Sequence, residues 1–235
     1  MCKKNFVHVC FVIDESGSMG GSESDVVGGF KKVVDEQKVN EAGTCSVSFY
    51  KFATNVQKVF MGVDVKEVEY LDGKYNPGGM TALYDGIGTA IDELNDWMDE
   101  MPKEERPEKT IVVIMTDGEE NHSSRYNLAT IKRMINHQEK SHDWTFVYMG
   151  SDLSNAKEVS NLGIKTRCFS AKKDYIGNYS IINDSISAYR NTIGDASLKA
   201  MAFESSLDTN CSVVTENYAK ENNIDIDSLT SKDNN

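Results

Sequence analysis

Proline is nearly absent, with three residues in 235, which excludes a proline-rich linker protein. Five cysteines, Cys2, Cys10, Cys45, Cys168 and Cys211, are odd in number and widely spaced, with no CxxC. A disulfide framework or a zinc ribbon needs pairs at short spacing, so neither is expected. The thiols read as reduced, packed as small hydrophobes, which points to a cytoplasmic, intracellular setting. Positive charge is also short: 25 Lys and Arg against 37 Asp and Glu leave a net charge of −12. Nucleic acid and anionic membranes both require a positive field, so neither is an expected partner. No apolar run approaches the roughly 20 residues of a membrane span. Lys3 and Lys4 ahead of Phe6–Ile13 imitate a secretory leader, but the run is short, is broken by His8, and enters Asp14-Glu15 without a small-residue cleavage site. It reads as a buried strand. There is no GxxxxGK[ST] phosphate loop and no GxSxG nucleophile elbow.

What is present is an alternation. Apolar, β-rich runs occur at Val7–Ile13, Cys45–Phe52, Val56–Met61, Thr110–Met115, Thr145–Met149 and Thr166–Phe169. Two of them, Val7–Ile13 and Thr110–Met115, are almost continuously apolar, as strands covered on both faces are. Between the runs, apolar residues recur at three and four. They do so at Val26–Val34, Leu83–Met101 and Leu128–Ile135, in a shorter stretch at Ser154–Leu162, and in the stripe Tyr175, Tyr179, Ile182, Ile186, Tyr189, Ile193. The stripe reads as a helix docked on the sheet, with a partner-binding face as the alternative. Strands alternating with helices predict an α/β fold: a doubly wound, mainly parallel open sheet with helices on both faces. Cys45–Phe52 and Val56–Met61, joined by Ala53-Thr54-Asn55, read as a hairpin that adds one antiparallel edge strand. Residues 1–203 form the expected domain. Residues 204–235, with seven acidic residues and two lysines, read as a mobile acidic tail with a short helix near Val214–Lys220.

Three features fall just beyond strand carboxyl ends, where open α/β sheets place ligands. The first strand runs into Asp14-Glu15-Ser16-Gly17-Ser18, the fourth into Thr116-Asp117-Gly118, and Pro77-Gly78-Gly79-Met80-Thr81 precedes the second helix. Asp14, Ser16 and Ser18 alternate in one tight turn; Thr81 and Asp117 add a hydroxyl and a carboxylate. Five hard oxygen donors without Cys or His suit Mg²⁺, with Mn²⁺ or Ca²⁺ possible, rather than zinc or copper. As isolated residues, the same Asp and Ser would also serve as caps and turn formers.

The pattern Asp14-x-Ser16-x-Ser18, then Thr81, then Asp117, resembles the metal-ion-dependent adhesion site (MIDAS) of von Willebrand factor A-type domains. The likeness extends over roughly residues 5–195 and includes Gly78–Asp85 and Thr116–Glu119. It implies a binding module whose metal keeps a position open for an Asp or Glu of a protein partner. Short stand-alone proteins of this kind are typical of bacteria and phages, where the domain works beside an AAA+ ATPase of the MoxR type. Glu15, Tyr84, Glu119 and Tyr126 are the expected rim of the partner site, and no catalytic residue is expected. The alternative is a metal-dependent hydrolase or phosphotransferase. Its aspartyl-phosphate form requires an Asp where Ser16 stands, and a phosphate-binding lysine. His8 reads as a satisfied core residue, His122 as a solvent-facing loop residue, His137 and His142 as helix C-terminal residues, and Asp152 as a helix cap.

Overall fold

The structure, a computed structural model, describes residues 2–150, 161–164, 166–169 and 175–222. Among these, six strands form one sheet: β1 (Lys3–Asp14), β2 (Thr44–Phe52), β3 (Val56–Asp64), β4 (Pro107–Thr116), β5 (Trp144–Gly150) and β6 (Thr166–Phe169). Their order is β3-β2-β1-β4-β5-β6, and every pair is parallel except the β2–β3 hairpin. The two most apolar runs, β1 and β4, lie side by side at the centre, as their composition predicts.

Alternation along these strands divides the core in two. Val7, Val9, Phe11 and Ile13 of β1 face one side with Ile111, Val113 and Met115 of β4. Cys10 and Val12 face the other with Val112 and Ile114. The first face is covered by α1 (Glu23–Val39), α4 (Tyr175–Asn191) and α5 (Ala196–Asn222), the second by α2 (Leu83–Asp99) and α3 (Leu128–His142). Phe30 of α1 packs edge-on against Phe11 and Phe49, at 5.4 and 4.9 Å between ring centroids. Each such fully buried ring stabilises the fold by about 1.5–3 kcal/mol.

Two expectations change here. The α4 stripe docks on the sheet, with Tyr179 against Gly29 and Phe11, but its final member Ile193 lies beyond the helix end at Asn191 and is 98% exposed. Residues 204–222, placed in the expected tail, continue α5, and Phe203, Leu207 and Cys211 enter the core at successive intervals of four. One buried apolar residue per turn is enough to seat this stretch of the helix. The remainder of the expected tail, residues 223–235, lies outside the described residues, as do Asp152 and most of the stretch 154–162.

The cysteines behave as expected where described. Cys10, Cys45 and Cys211 are buried and outside any disulfide, and burial pushes the Cys45 thiol up to about 12. His8 is fully buried, with one ring nitrogen 2.8 Å from Ser46 Oγ and the other 3.1 Å from Ser48 Oγ. Burial pushes its pKa down to about 3, so it is a neutral core residue.

Candidate metal centre

After β1 the chain turns into α1 and then β2 on one side, whereas β4 leads to β5 on the other. The loops leaving β1 and β4 therefore diverge, and a crevice opens above the two central strands. Asp14, the last residue of β1, is fully buried there. Its Oδ1 accepts from Ser16 N at 2.7 Å and its Oδ2 from Thr116 Oγ1 at 2.6 Å. These bonds fix the carboxylate, yet burial dominates, with Asp117 nearby adding repulsion, and its pKa rises to about 6.

The other donors gather around it. Ser16 Oγ lies 3.0 Å from Ser18 Oγ, which donates to Asp117 Oδ1 at 2.5 Å. Thr81 is buried, held through its backbone by Asn121: its N–H donates to Asn121 Oδ1 at 2.9 Å, and its carbonyl accepts from Asn121 N at 3.0 Å. A point on Gly118 makes the convergence measurable. A Cβ built there would lie 3.2 Å from Thr81 Oγ1, 3.4 Å from Ser18 Oγ and 3.6 Å from Asp14 Oδ2. Oxygens from three separate elements thus surround one small space that a side chain at 118 would fill. All five residues in the sequence motif belong to this cluster. Their chemistry, three hydroxyls and two carboxylates, fits a hard divalent cation.

That space gives a direct test. A methyl group at Gly118 would stand among the three oxygens and press on Thr81 Oγ1. Gly118→Ala is therefore expected to weaken Mg²⁺ binding by about tenfold or more, equivalent to about 1.4 kcal/mol. The metal-free protein should melt close to the parent temperature. Calorimetric titration with MgCl₂ reads the first quantity and thermal melting in EDTA the second; unchanged affinity would place the cation elsewhere.

The loops that carry the donors are strongly braced. Glu15 N donates to Phe52 O at 2.7 Å, Gly78 N to Glu15 O at 2.8 Å and Gly17 N to Gly79 O at 3.2 Å, tying the Asp14 turn to the Thr81 loop. Gly79 adopts φ +83° with its Cα against Thr54, a place only glycine fills without strain. Asp85, in the first turn of α2, accepts from the N–H groups of Ser124, Arg125 and Tyr126, each at 2.9 Å. Glu120 accepts from Tyr84 N at 2.9 Å and Ser123 N at 2.6 Å. The loop following Asp117 is thereby fixed to the helix that Thr81 precedes.

Of the four expected rim residues, only Glu119 is exposed. Glu15 instead turns inward: its side chain is 14% exposed, bonds Lys51 Nζ at 2.9 Å and receives Asn76 N at 2.5 Å. The acidic residue is thus neutralised by a lysine from β2 and acts as a brace between loops. Tyr126 lays its ring on Gly88 and donates to Asp92 Oδ2 at 2.6 Å, so it packs along α2. Tyr84 packs against the core of the same face. His122 is exposed, as expected. Sequence reasoning missed Asp85, Glu120 and Asn121, which position the loops. An acidic residue inside the Leu83–Ile87 apolar run was the available signal for Asp85.

The sequence profile of the von Willebrand factor type A domain matches residues 8–184. Among solved structures, the chain is similar to the vWF domain of the type V pili tip protein Mfa5 from Porphyromonas gingivalis, with TM-score 0.57 and 13% identity over 80% of this chain and 97% of that one. It is also similar to proximal thread matrix protein 1 from the mussel byssus with a zinc-occupied MIDAS motif, with TM-score 0.51 and 20% identity over 77% of this chain and 45% of that one. A third is the D319A mutant of the PilB minor pilin from Streptococcus sanguinis, with TM-score 0.51 and 16% identity over 85% and 63%. The chain spans about half the length of the mussel proteins and under two thirds of the pilin. At these identities the likeness is one of fold.

Proposed function

Because the chain belongs to the von Willebrand factor type A family, we propose that it is a protein-binding module that grips a partner carboxylate at a metal-ion-dependent adhesion site. The observation that carries this reading is the convergence of Thr81 Oγ1, Ser18 Oγ and Asp14 Oδ2 beside Gly118. Held by Asp14, Ser16, Ser18, Thr81 and Asp117, a divalent cation would supply a Lewis-acidic position open to an Asp or Glu side chain. The chain's own groups account for the rest. With the three neutral hydroxyls as direct ligands and the two carboxylates acting through water, a cation would keep much of its charge, which favours an anionic partner. Buried Asp14 fixes one wall through Ser16 and Thr116, and Ser18 holds Asp117 beside it.

The zinc-occupied motif in the mussel protein supports metal capacity in this fold. The all-oxygen donor set favours Mg²⁺ as the resident ion. Among the described residues no helix is long and apolar enough to cross a membrane. The proposed setting is the cytoplasm, with an AAA+ ATPase of the MoxR kind as one partner candidate.

The test is capture from native extract in Mg²⁺ against EDTA, with Thr81→Ala as matched control. The expected result is a partner lost in EDTA and lost with the variant. In parallel, millimolar Mg²⁺ should raise the melting temperature of the parent, as any ligand of the folded state does. A partner retained under both treatments, with no thermal shift, would move the interface away from this crevice.

A further inference from the structure

The crevice has unlike walls. One is built from Gly17, Thr54, Gly78, Gly79 and Met80, none of them charged. The acidic residue nearest to it in sequence, Glu15, is turned inward on Lys51. Met80 stands out on this wall: it is 46% exposed, although it directly precedes the buried Thr81. The exposure is imposed by the backbone. Met80 N donates to Thr54 Oγ1 at 3.1 Å, Gly79 O accepts from Gly17 N, and Thr81 is fixed by Asn121 with its hydroxyl toward Gly118. With Thr81 directed inward and both neighbours tied, residue 80 is held outward. On the β4 side of the crevice the chain runs from Asp117 and Gly118 into exposed Glu119, two carboxylates within three residues.

Resting on the metal-site reading above, we infer that the partner presents its acidic residue between an apolar side chain, which packs on Met80, and a basic one, which faces Glu119. Methionine suits the first role, being unbranched and able to mould itself to a partner side chain. A rim carboxylate suits the second, since it selects the sign of its neighbour and repels acidic flanks. The net charge of −12 reinforces that choice: an acidic residue arriving with a basic neighbour meets less long-range repulsion than one arriving among acids.

Blocked peptides test this without knowledge of the natural partner. Ala-Ala-Glu-Ala-Ala is the baseline, and peptides with Leu or Lys on either side of Glu are the probes, titrated into labelled protein in Mg²⁺ and followed by NMR. Leu on the favoured side should tighten binding roughly three- to tenfold over the baseline, and Met80→Ser should remove that gain. Lys on the other side should add roughly twofold at low salt, lost in Glu119→Gln and at high salt. A Leu gain that survives Met80→Ser, or no gain in the parent, would overturn the inference while the metal site stands. A baseline peptide that shows no Mg²⁺-dependent binding would instead overturn the site reading itself, and this inference with it.

Discussion

Asp14→Asn is expected to make the metal-free protein more stable and, at the same time, to abolish its stabilisation by Mg²⁺. The two effects have opposite signs because Asp14 is a buried carboxylate in the proposed cation site. Burial raises its pKa from 3.8 to about 6. A folded-state pKa above the unfolded one means that the folded protein binds the proton more tightly. The ionised group therefore destabilises the fold fully above pH 6, and that cost is relieved as pH falls from about 6 to about 4. A shift of this size corresponds to about 3 kcal/mol at neutral pH. Asparagine removes the charge but turns an amide donor toward either Ser16 N or Thr116 Oγ1, which returns about 1 kcal/mol. The net gain in EDTA should be about 1–2 kcal/mol. In Mg²⁺ the parent should gain about 2.7 kcal/mol at a hundredfold excess over Kd, and the variant nothing. Denaturant melts in EDTA and in Mg²⁺, at pH 7 and pH 5, give all four values. A variant less stable than the parent in EDTA would mean that Asp14 is compensated within the chain.

The second large effect lies far from the crevice. Arg190, at the end of α4, is 8% exposed and bonds amide carbonyl oxygens, most of them of the backbone. Its Nη1 donates to Gln37 O at 2.9 Å and Gln37 Oε1 at 2.7 Å, its Nη2 to Asn40 O at 2.7 Å, and its Nε to Ala42 O at 3.1 Å. One guanidinium thus closes the carboxyl end of α1 and the turn into β2, where helix carbonyls lack partners and carry partial negative charge. Arg190→Ala strands these acceptors and leaves a void, with an expected loss of more than about 3 kcal/mol in denaturant unfolding. Lysine, with one compact ammonium, should recover less than half, because it cannot reach three directions at once. A loss under about 1 kcal/mol would show that water replaces the side chain at little cost.

Much of this arrangement was legible in the sequence, for identifiable reasons. The strands were readable because central parallel strands are apolar throughout, and the β2–β3 exception because only a three-residue connection separates its two runs. The five candidate donors stand out in the sequence because each sits at the end of an element, where the fold's crevice lies. The helix α5 was not readable from composition, which averages Phe203, Leu207 and Cys211 with the polar residues around them. Their spacing of four held the signal. Glu15 was misplaced for a different reason: its partner Lys51 lies within a strand that otherwise reads as apolar, and nothing in the linear order brings the two together. Arg190 was hidden in the same way, beside a tyrosine that marked its helix face as buried.

The central pairing has a consequence in time. Val7 of β1 lies opposite Lys109 of β4, so the two strands that frame the crevice are separated by about a hundred residues, whereas the β2–β3 pair is local. Chains dominated by such distant pairings fold slowly, since the long loop must close before its contacts reward it. Asp14 leaves the ribosome long before Thr81, and Thr81 before Asp117. A growing chain therefore holds no complete set of donors until β4 has emerged and slotted beside β1. At the proposed site, cation capture would then be a late event that reports the finished sheet.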